Sequence, residues 1–478
     1  MIDLPASFWV YLVLIAPAAS AVLSLIPIPG VSRNASRAGS LAALAAALAL
    51  LVTQATGRWG PYLGLDSLSE VFLVMVTSIY ATSTWYSEGY LRAVHRPFLT
   101  SQVYYALLSA FAFSMVATLV VTDLGLMWIG IEATTVASAL LVVLERKPTS
   151  VEAAWRYTLI ASAGLTIALF ALLLVYAATG SLDAFSLAPH PPAVTLPIEM
   201  AVALALVGYG TKVGLFPMHT WLPDAHSEAP SPVSAMFSGV LLPTALYAFL
   251  RVYAILPAPA PAVVTDLVVV FGLTTALVGA FLLQRQRSFK RMLAYSSMEV
   301  MGIAVVGVAV GGIALYGALV LLFAHAFAKS AAFYCAGNVL RATGTNRIDD
   351  VRDLQHSMPR TGGAWVVSSF AVTGAPPFGT FLGELLIVLG AVAAGWYWVA
   401  VLLALAILVA FLGVNFQVGR MVFGKGSGTR TGPARLPEEG VALAFVNVAV
   451  ALALGVAAFP YLSAALRAAA GVLGGSSP

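Results

Sequence analysis

Apolar runs long enough to cross about 30 Å of hydrocarbon recur along the whole chain, separated by short polar connections. They predict helical spans at 7–29, 36–54, 66–87, 100–121, 123–144, 153–178, 198–216, 231–257, 261–284, 291–311, 314–341, 361–394, 397–423 and 438–464, about fourteen in all. The expected fold class is all-α and integral to a membrane. The run from Phe8 to Pro29 lacks a basic leader and reads as a first span rather than a removed signal peptide. Glycine and alanine are abundant inside the runs, which suits close helix packing in lipid.

The polar connections carry a second pattern. Alternate ones are basic: Arg33 and Arg37; Arg92 and Arg96; Arg146 and Lys147; Arg285, Arg287, Lys290 and Arg291; Arg341, Arg347, Arg352 and Arg360; Arg420, Lys425, Arg430 and Arg435. The opposite connections offer little beyond Arg58, Arg251 and Arg467. Basic loops stay in the cytoplasm, so the chain is expected in the cytoplasmic membrane with both termini on the other side.

Two spans look interrupted, one from Gly208 through Lys212 to Pro217, the other at Gly374-Ala375-Pro376-Pro377-Phe378-Gly379 just before Glu384. Broken backbone at membrane depth is tolerated where it is buried in protein or lines a wet cavity. Paired breaks in two halves point to inverted repeats with the transport site at the breaks. A glutamate-bearing span precedes each break, with Glu132 in the first half and Glu299 in the second. The expected organisation is N-terminal transmembrane helices at 1–99, a first inverted five-helix repeat at 100–257, a second at 261–423, and a C-terminal transmembrane helix at 424–478.

Composition agrees with a lipid solvent. The 478 residues are 60% hydrophobic and 9% charged, against about 25% charged in soluble domains, and mean hydropathy is +0.94. The pI near 9.1 reflects the loop arginines and lysines rather than a nucleic-acid partner. One cysteine, Cys335, excludes a disulfide framework or a cysteine-ligated cluster within this chain. Nucleotide-binding loops, hydrolytic triads and redox-metal ligation patterns are absent from the sequence, so no cofactor, metal site or catalytic centre is expected. Energy must come from a gradient or a partner.

Four charges then change the picture, because Glu132, Lys212, Lys329 and Glu384 lie deep inside the apolar runs. A charge at the bilayer centre costs roughly 2.5–3.5 kcal/mol on insertion scales, so each is a functional hypothesis by default. Acid, base, base, acid in chain order suits a proton relay. Glu132 reads as a proton-carrying carboxylate, or as helix glue to Thr134 and Thr135. Lys212 has no acidic neighbour in sequence. Burial disfavours the charged form of any group and an approaching opposite charge restores it, so Lys212 reads as a switchable proton site, or else as half of a structural ion pair. His325 and Lys329 stand one turn apart on one helical face and can pass a proton through water. Glu384 is an exit carboxylate or a complement to the dipole of a new half-helix.

Arg156 either snorkels to the interface or modulates Glu132. Glu299 is an intake residue or a surface carboxylate paired with Arg291 or Lys290. The segment 217–228 holds His219 and His226 with two acids, without metal-ligand spacing, and Ser231-Pro232 reads as a helix start. The proton-transfer set is thus Glu132, Lys212, His219, His325, Lys329 and Glu384, with Arg156, His226 and Glu299 as possible modulators.

These residues sit in motifs that resemble the antiporter-like, proton-translocating subunits of respiratory complex I and their relatives, the cation/proton antiporters and the energy-converting hydrogenases. The resemblance covers roughly 60–425. It rests on Trp128-Ile-Gly-Ile-Glu132, Pro217-Met-His-Thr-Trp-Leu-Pro-Asp-Ala-His226, Lys290-Arg-Met-Leu-Ala-Tyr-Ser-Ser297 and His325-Ala-Phe-Ala-Lys329. Ser227-Glu-Ala-Pro-Ser-Pro232, Gly337-Asn338 and Gly374-Ala-Pro-Pro-Phe-Gly379 look most like the hydrogenase and formate-hydrogenlyase type. By match, Glu132 resembles the family's intake glutamate, Lys212 the lysine of the first broken helix, Lys329 the central lysine of the second half, and Glu384 the terminal residue of the second broken helix. Two positions depart from the pattern: Pro243 stands where relatives often carry a lysine, and Val300 where relatives may carry a histidine. The link between halves is then expected to run through water or other polar groups, with His219 and His325 as candidates.

The resemblance implies a proton-conducting subunit of a redox-driven pump. Its implied partners are other membrane subunits, the lipid, and a peripheral arm holding iron–sulfur clusters or a nickel–iron site on other chains. A sodium/proton or other cation antiporter subunit, and a non-pumping membrane anchor, are the alternative readings.

Overall fold

The computed structural model describes residues 4–92, 94, 97–145, 147–425, 438–457 and 459–474. Arg96, Arg146, Arg430 and Arg435 of the loop-charge pattern lie outside them. An α1 (Ala6–Leu23) and α2 (Val31–Thr53) hairpin leads through a two-residue antiparallel ribbon, β1 (Gly57–Arg58) with β2 (Gly64–Leu65), into α3 (Ser67–Arg92). There follow α4 (Ser101–Val120), α5 (Leu124–Val142), α6 (Pro148–Thr179), the short α7 (Ala184–Leu187), α8 (Leu196–Val213), α9 (Trp221–Glu228), α10 (Ser231–Met236) and α11 (Leu242–Tyr253). The rest comprises α12 (Ala262–Leu283), α13 (Phe289–Val310), α14 (Gly312–Thr343), the short α15 (Leu354–Ser357), α16 (Pro359–Val372), α17 (Gly379–Ala393), α18 (Tyr397–Phe423), α19 (Val441–Val456) and α20 (Pro460–Val472).

Among the described residues, 11 helical segments are long and apolar enough to cross a membrane, or 12 if α19 and α20 form one bent span. The protein is therefore an all-helical, multi-pass membrane protein. The other expected spans fall on α3, which is rich in serine and threonine, and on the pair α16 and α17, of 14 and 15 residues. Segment 231–253 is wholly enclosed, with α3, α8 and α14 around it. Exposed apolar side chains such as Val136, Leu140, Leu159 and Phe170 line the outside of α5 and α6.

Small residues set the helix spacing that positions the charges. A Cβ on Gly208 of α8 would stand 2.5 Å from the Ala168 nitrogen of α6, and one on Gly164 would stand 2.4 Å from Thr211 Cβ. The two helices thus touch backbone to backbone one turn from Lys212. Gly208→Val is expected to force them apart at a cost of about 1–3 kcal/mol, seen as a lowered melting temperature of the purified complex. An unchanged melting temperature would contradict this packing.

Both predicted breaks are present. The α8 helix stops at Gly214, whose φ of 84° lies in the left-handed region. The chain after α16 turns at Gly374 with φ 64° before α17 begins. Two loop charges of the sequence pattern are placed differently. Arg251 is in the last turn of α11, 2% exposed, and donates to both carboxylate oxygens of Asp66 at 2.6 Å. Lys290 lies inside the first turn of α13, 1% exposed. Ser231 is the first residue of α10 and Pro230 precedes it as the cap, one position earlier than the sequence suggests.

Candidate functional site

Lys212 ends α8 just before the break, fully buried. Its Nζ donates to Thr135 Oγ1 at 2.7 Å and to Tyr157 Oη at 2.5 Å, and lies 4.5 Å from the Tyr157 ring centroid. Tyr157 Oη also meets Ser138 Oγ at 2.8 Å. Thr135 is one turn along α5 from Glu132, whose Oε1 accepts from Ser162 Oγ at 2.7 Å while Oε2 is buried without a partner among the described residues. No direct ion pair joins Glu132 and Lys212 among the described residues, although the charge of Glu132 acts on the lysine. Lys212 is held by the hydroxyls of Thr135 and Tyr157, with Ser138 behind Tyr157, whereas Glu132 bonds Ser162. Glu132 thus joins α5 to α6 through Ser162 rather than through Thr134 or Thr135, and Lys212 has hydroxyl partners rather than a direct ion pair.

Lys329 of α14 is equally enclosed and donates to the Leu293 carbonyl of α13 at 2.8 Å. That carbonyl also accepts from Ser297 Oγ at 2.9 Å. Glu299 is buried on the next turns of α13, where it acts on Lys329 and is itself acted on by Glu384. The surface reading of Glu299 does not hold: Arg291 pairs with Asp224 at 3.0 Å and Lys290 bonds the Ala229 carbonyl. Both ring nitrogens of His325 are buried without a hydrogen-bond partner among the described residues, beside the Ser238 main chain.

Glu384 folds back into the second break. A Cβ on Gly374 would fall 1.8 Å from its Oε2, and the positive φ there already disfavours other residues. Gly374→Ala is expected to displace the carboxylate and to destabilise the fold by about 1–3 kcal/mol. Matching melting curves and activities for variant and wild type would refute that.

Between the two groups lies a π-helical turn, Phe237–Leu241. Pro243 brings no N–H to the Gly239 carbonyl one turn before it, which favours such a widened turn. Within this turn Ser238 Oγ meets Ser297 Oγ at 2.6 Å, reaching the Lys329 group. Phe237 packs 5.8 Å from the Tyr157 ring of the Lys212 group. The two groups therefore approach through Ser238 and Ser297, a pair that single-residue reading did not find.

His226 and His219 flank this region differently. His226 is buried, stacked on Phe333 at 5.3 Å, with both ring nitrogens unpartnered among the described residues. His219 sits in the turn Met218–Thr220 against Phe216 and Tyr295. Arg156 pairs with Glu152 at 2.5 Å and Asp224 at 3.3 Å and is half exposed, which is the interfacial reading. Among the described residues no cluster of three metal-ligating side chains occurs.

This arrangement can be compared with known proteins. Residues 121–410 match the family description "NADH:quinone oxidoreductase/Mrp antiporter, TM". The chain belongs to this family. Within the antiporter family it is 33% identical to the hydrogenase-4 component F homolog of Methylacidiphilum infernorum (isolate V4) over 386 residues, 77% of this chain and 80% of that one. It is 33% identical to NADH-quinone oxidoreductase subunit N of Desulforudis audaxviator (strain MP104C), over 74% of this chain and 71% of that one. Its fold matches a chain of the membrane-bound sulfane sulfur reductase, an archaeal respiratory membrane complex, at a TM-score of 0.87 and 22% identity, covering 98% of both chains. Lys212 and Lys329 of this family member are both fully buried.

Proposed function

We propose that this chain is the proton-conducting membrane subunit of a redox-driven ion-pumping complex of the hydrogenase or complex I type. One observation carries the reading. Two fully enclosed lysines, each under the influence of a glutamate, are held by hydroxyl and carbonyl groups and approach one another through Ser238 and Ser297. A buried cation without a direct counter-ion is expensive as a structural device and natural as a site whose charge must change.

In the proposed path Glu132 takes up a proton and Lys212 holds one, while His325 with Lys329 receives it and Glu384 releases it. Movement of charge in a neighbouring subunit alters the pull of Glu132 on Lys212, and the lysine's proton passes to the second group. His219 serves with His325 as a further proton carrier between the two groups, and His226 and Glu299 shape the field around these sites. The proposed architecture has about fourteen spans, with inverted five-helix repeats at 100–257 and 261–423 flanked by helices at 1–99 and 424–478. In support, each half ends a helix at a positive-φ glycine, and α5 packs on α6 as α13 packs on α14. Both termini are proposed on the non-cytoplasmic side of the cytoplasmic membrane. Partners are proposed to be further membrane subunits and a peripheral redox arm whose clusters lie on other chains.

The ion is the point to test. Inside-out vesicles carrying the complex, driven by its electron donor, are expected to acidify their lumen equally in sodium-free and sodium-containing buffer. Acidification that requires sodium would replace the pump by a sodium/proton exchanger.

A further inference from the structure

Lys290 is not needed in the path above, yet it is the third lysine buried in this bundle. It lines a polar cavity of about 240 Å³ together with Glu145, Lys147, Thr149, Ser227 and Glu228. Lys147 and its neighbours belong to the basic side of the loop pattern, so this cavity opens on the proposed cytoplasmic face. The Lys290 Nζ reaches inward to the Ala229 carbonyl.

From there polar groups continue into the protein. Ser234 Oγ donates to the His226 carbonyl at 2.9 Å and lies 3.4 Å from the Ala229 carbonyl that Lys290 holds. The His226 ring, fully buried with both nitrogens unpartnered among the described residues, stacks on Phe333. Phe333 is one turn beyond Lys329 on α14, and the charges of Lys290 and Lys329 both act on His226. On the other side, Leu293 is one turn beyond Lys290 on α13 and its carbonyl is the one that takes Lys329. The His226 ring thus packs between Phe333 and Phe237 within the field of two buried lysines.

We propose that the 240 Å³ cavity is a second proton intake, which feeds the Lys329 group through Lys290 and His226 without passing Glu132 or Lys212. The inference rests on the proton-pump reading and deepens it. Water in the cavity gives a proton to the Lys290 amine, breaking an O–H bond and forming an N–H bond, and the hydroxide is neutralised from bulk water. Lys290 then returns to the amine as an N–H bond forms on the His226 ring. The other ring nitrogen releases its proton through water towards His325 and Lys329. No electron moves.

A purely structural role for Lys290 is to bond the carbonyl that follows α9. Arginine can make that bond but does not give up its proton in a protein. The test uses the intact complex in inside-out vesicles, driven by its own electron donor and read with a lumenal pH dye. Redox turnover with an uncoupler present serves as the check on assembly.

Lys290→Arg is expected to assemble and turn over normally when uncoupled, while lumenal acidification per electron falls. His226→Gln is expected to do the same, and the double variant no worse than either. In a Glu132→Gln background, the acidification that persists is expected to vanish when Lys290→Arg is added. Wild-type acidification in Lys290→Arg overturns the inference. Should that variant not assemble, wild-type acidification in His226→Gln overturns it equally. A wild-type complex that never acidifies the lumen defeats the pump reading itself, and this inference with it.

Discussion

Replacing Lys212 by methionine is expected to cut protons translocated per electron to the level that persists in Glu132→Gln, while uncoupled redox turnover of the complex stays near the wild-type rate. Methionine fills a similar volume, and the Tyr157 hydroxyl keeps its contact with Ser138, so the fold loses about 1–2 kcal/mol at most. What disappears is the titratable group between Glu132 and the second half. Lys212→Arg keeps the charge and donors but holds its proton permanently, so it is expected to fail as completely as methionine. Unchanged protons per electron in both variants would mean that ion movement bypasses this lysine.

The second large effect is expected at Lys329. Its loss leaves Glu299 and Glu384 as buried acids without the cation that acts on Glu299. The Leu293 carbonyl remains bonded to Ser297, so the cost is electrostatic rather than a lost backbone bond. Leaving a buried carboxylate without the cation that acts on it is costly, and Lys329→Met should lower the melting temperature of the purified complex. Adding Glu299→Gln should recover most of that stability without recovering pumping. A double variant no more stable than the single would show that Glu299 and Lys329 are not coupled.

The sequence carried much of this site because lipid makes charges conspicuous. Glu132, Lys212, Lys329 and Glu384 stood out as exceptions in apolar runs, and the glycines and prolines at 208–217 and 374–379 marked the two breaks. Family membership was legible for the same reason, from short motifs around those charges. Lys290 was hidden because it follows a run of loop arginines and reads as one of them. Its burial comes from α9 and the turn after it folding over the start of α13, a contact distant in sequence. Arg251 was misplaced for a similar reason, since only its approach to Asp66, 185 positions earlier, takes it out of water. The partners of Lys212 escaped notice because threonine, serine and tyrosine are ordinary inside membrane helices. The Ser238 and Ser297 bridge depends on a π-helical turn that no residue type announces, although Pro243 favours it.

A hydrated axis through the bundle centre underlies all of these expectations. Hydroxyl-radical footprinting of the complex in membranes, read by mass spectrometry, reports water beside side chains that bulk solvent does not reach. Tyr157, His226 and His325 are expected to be modified readily, while Tyr80 and Tyr104, as deeply buried but away from the axis, stay protected. Protection of all five alike, in resting and turning-over complexes, would mean that the buried charges are separated by dry protein and carry no protons.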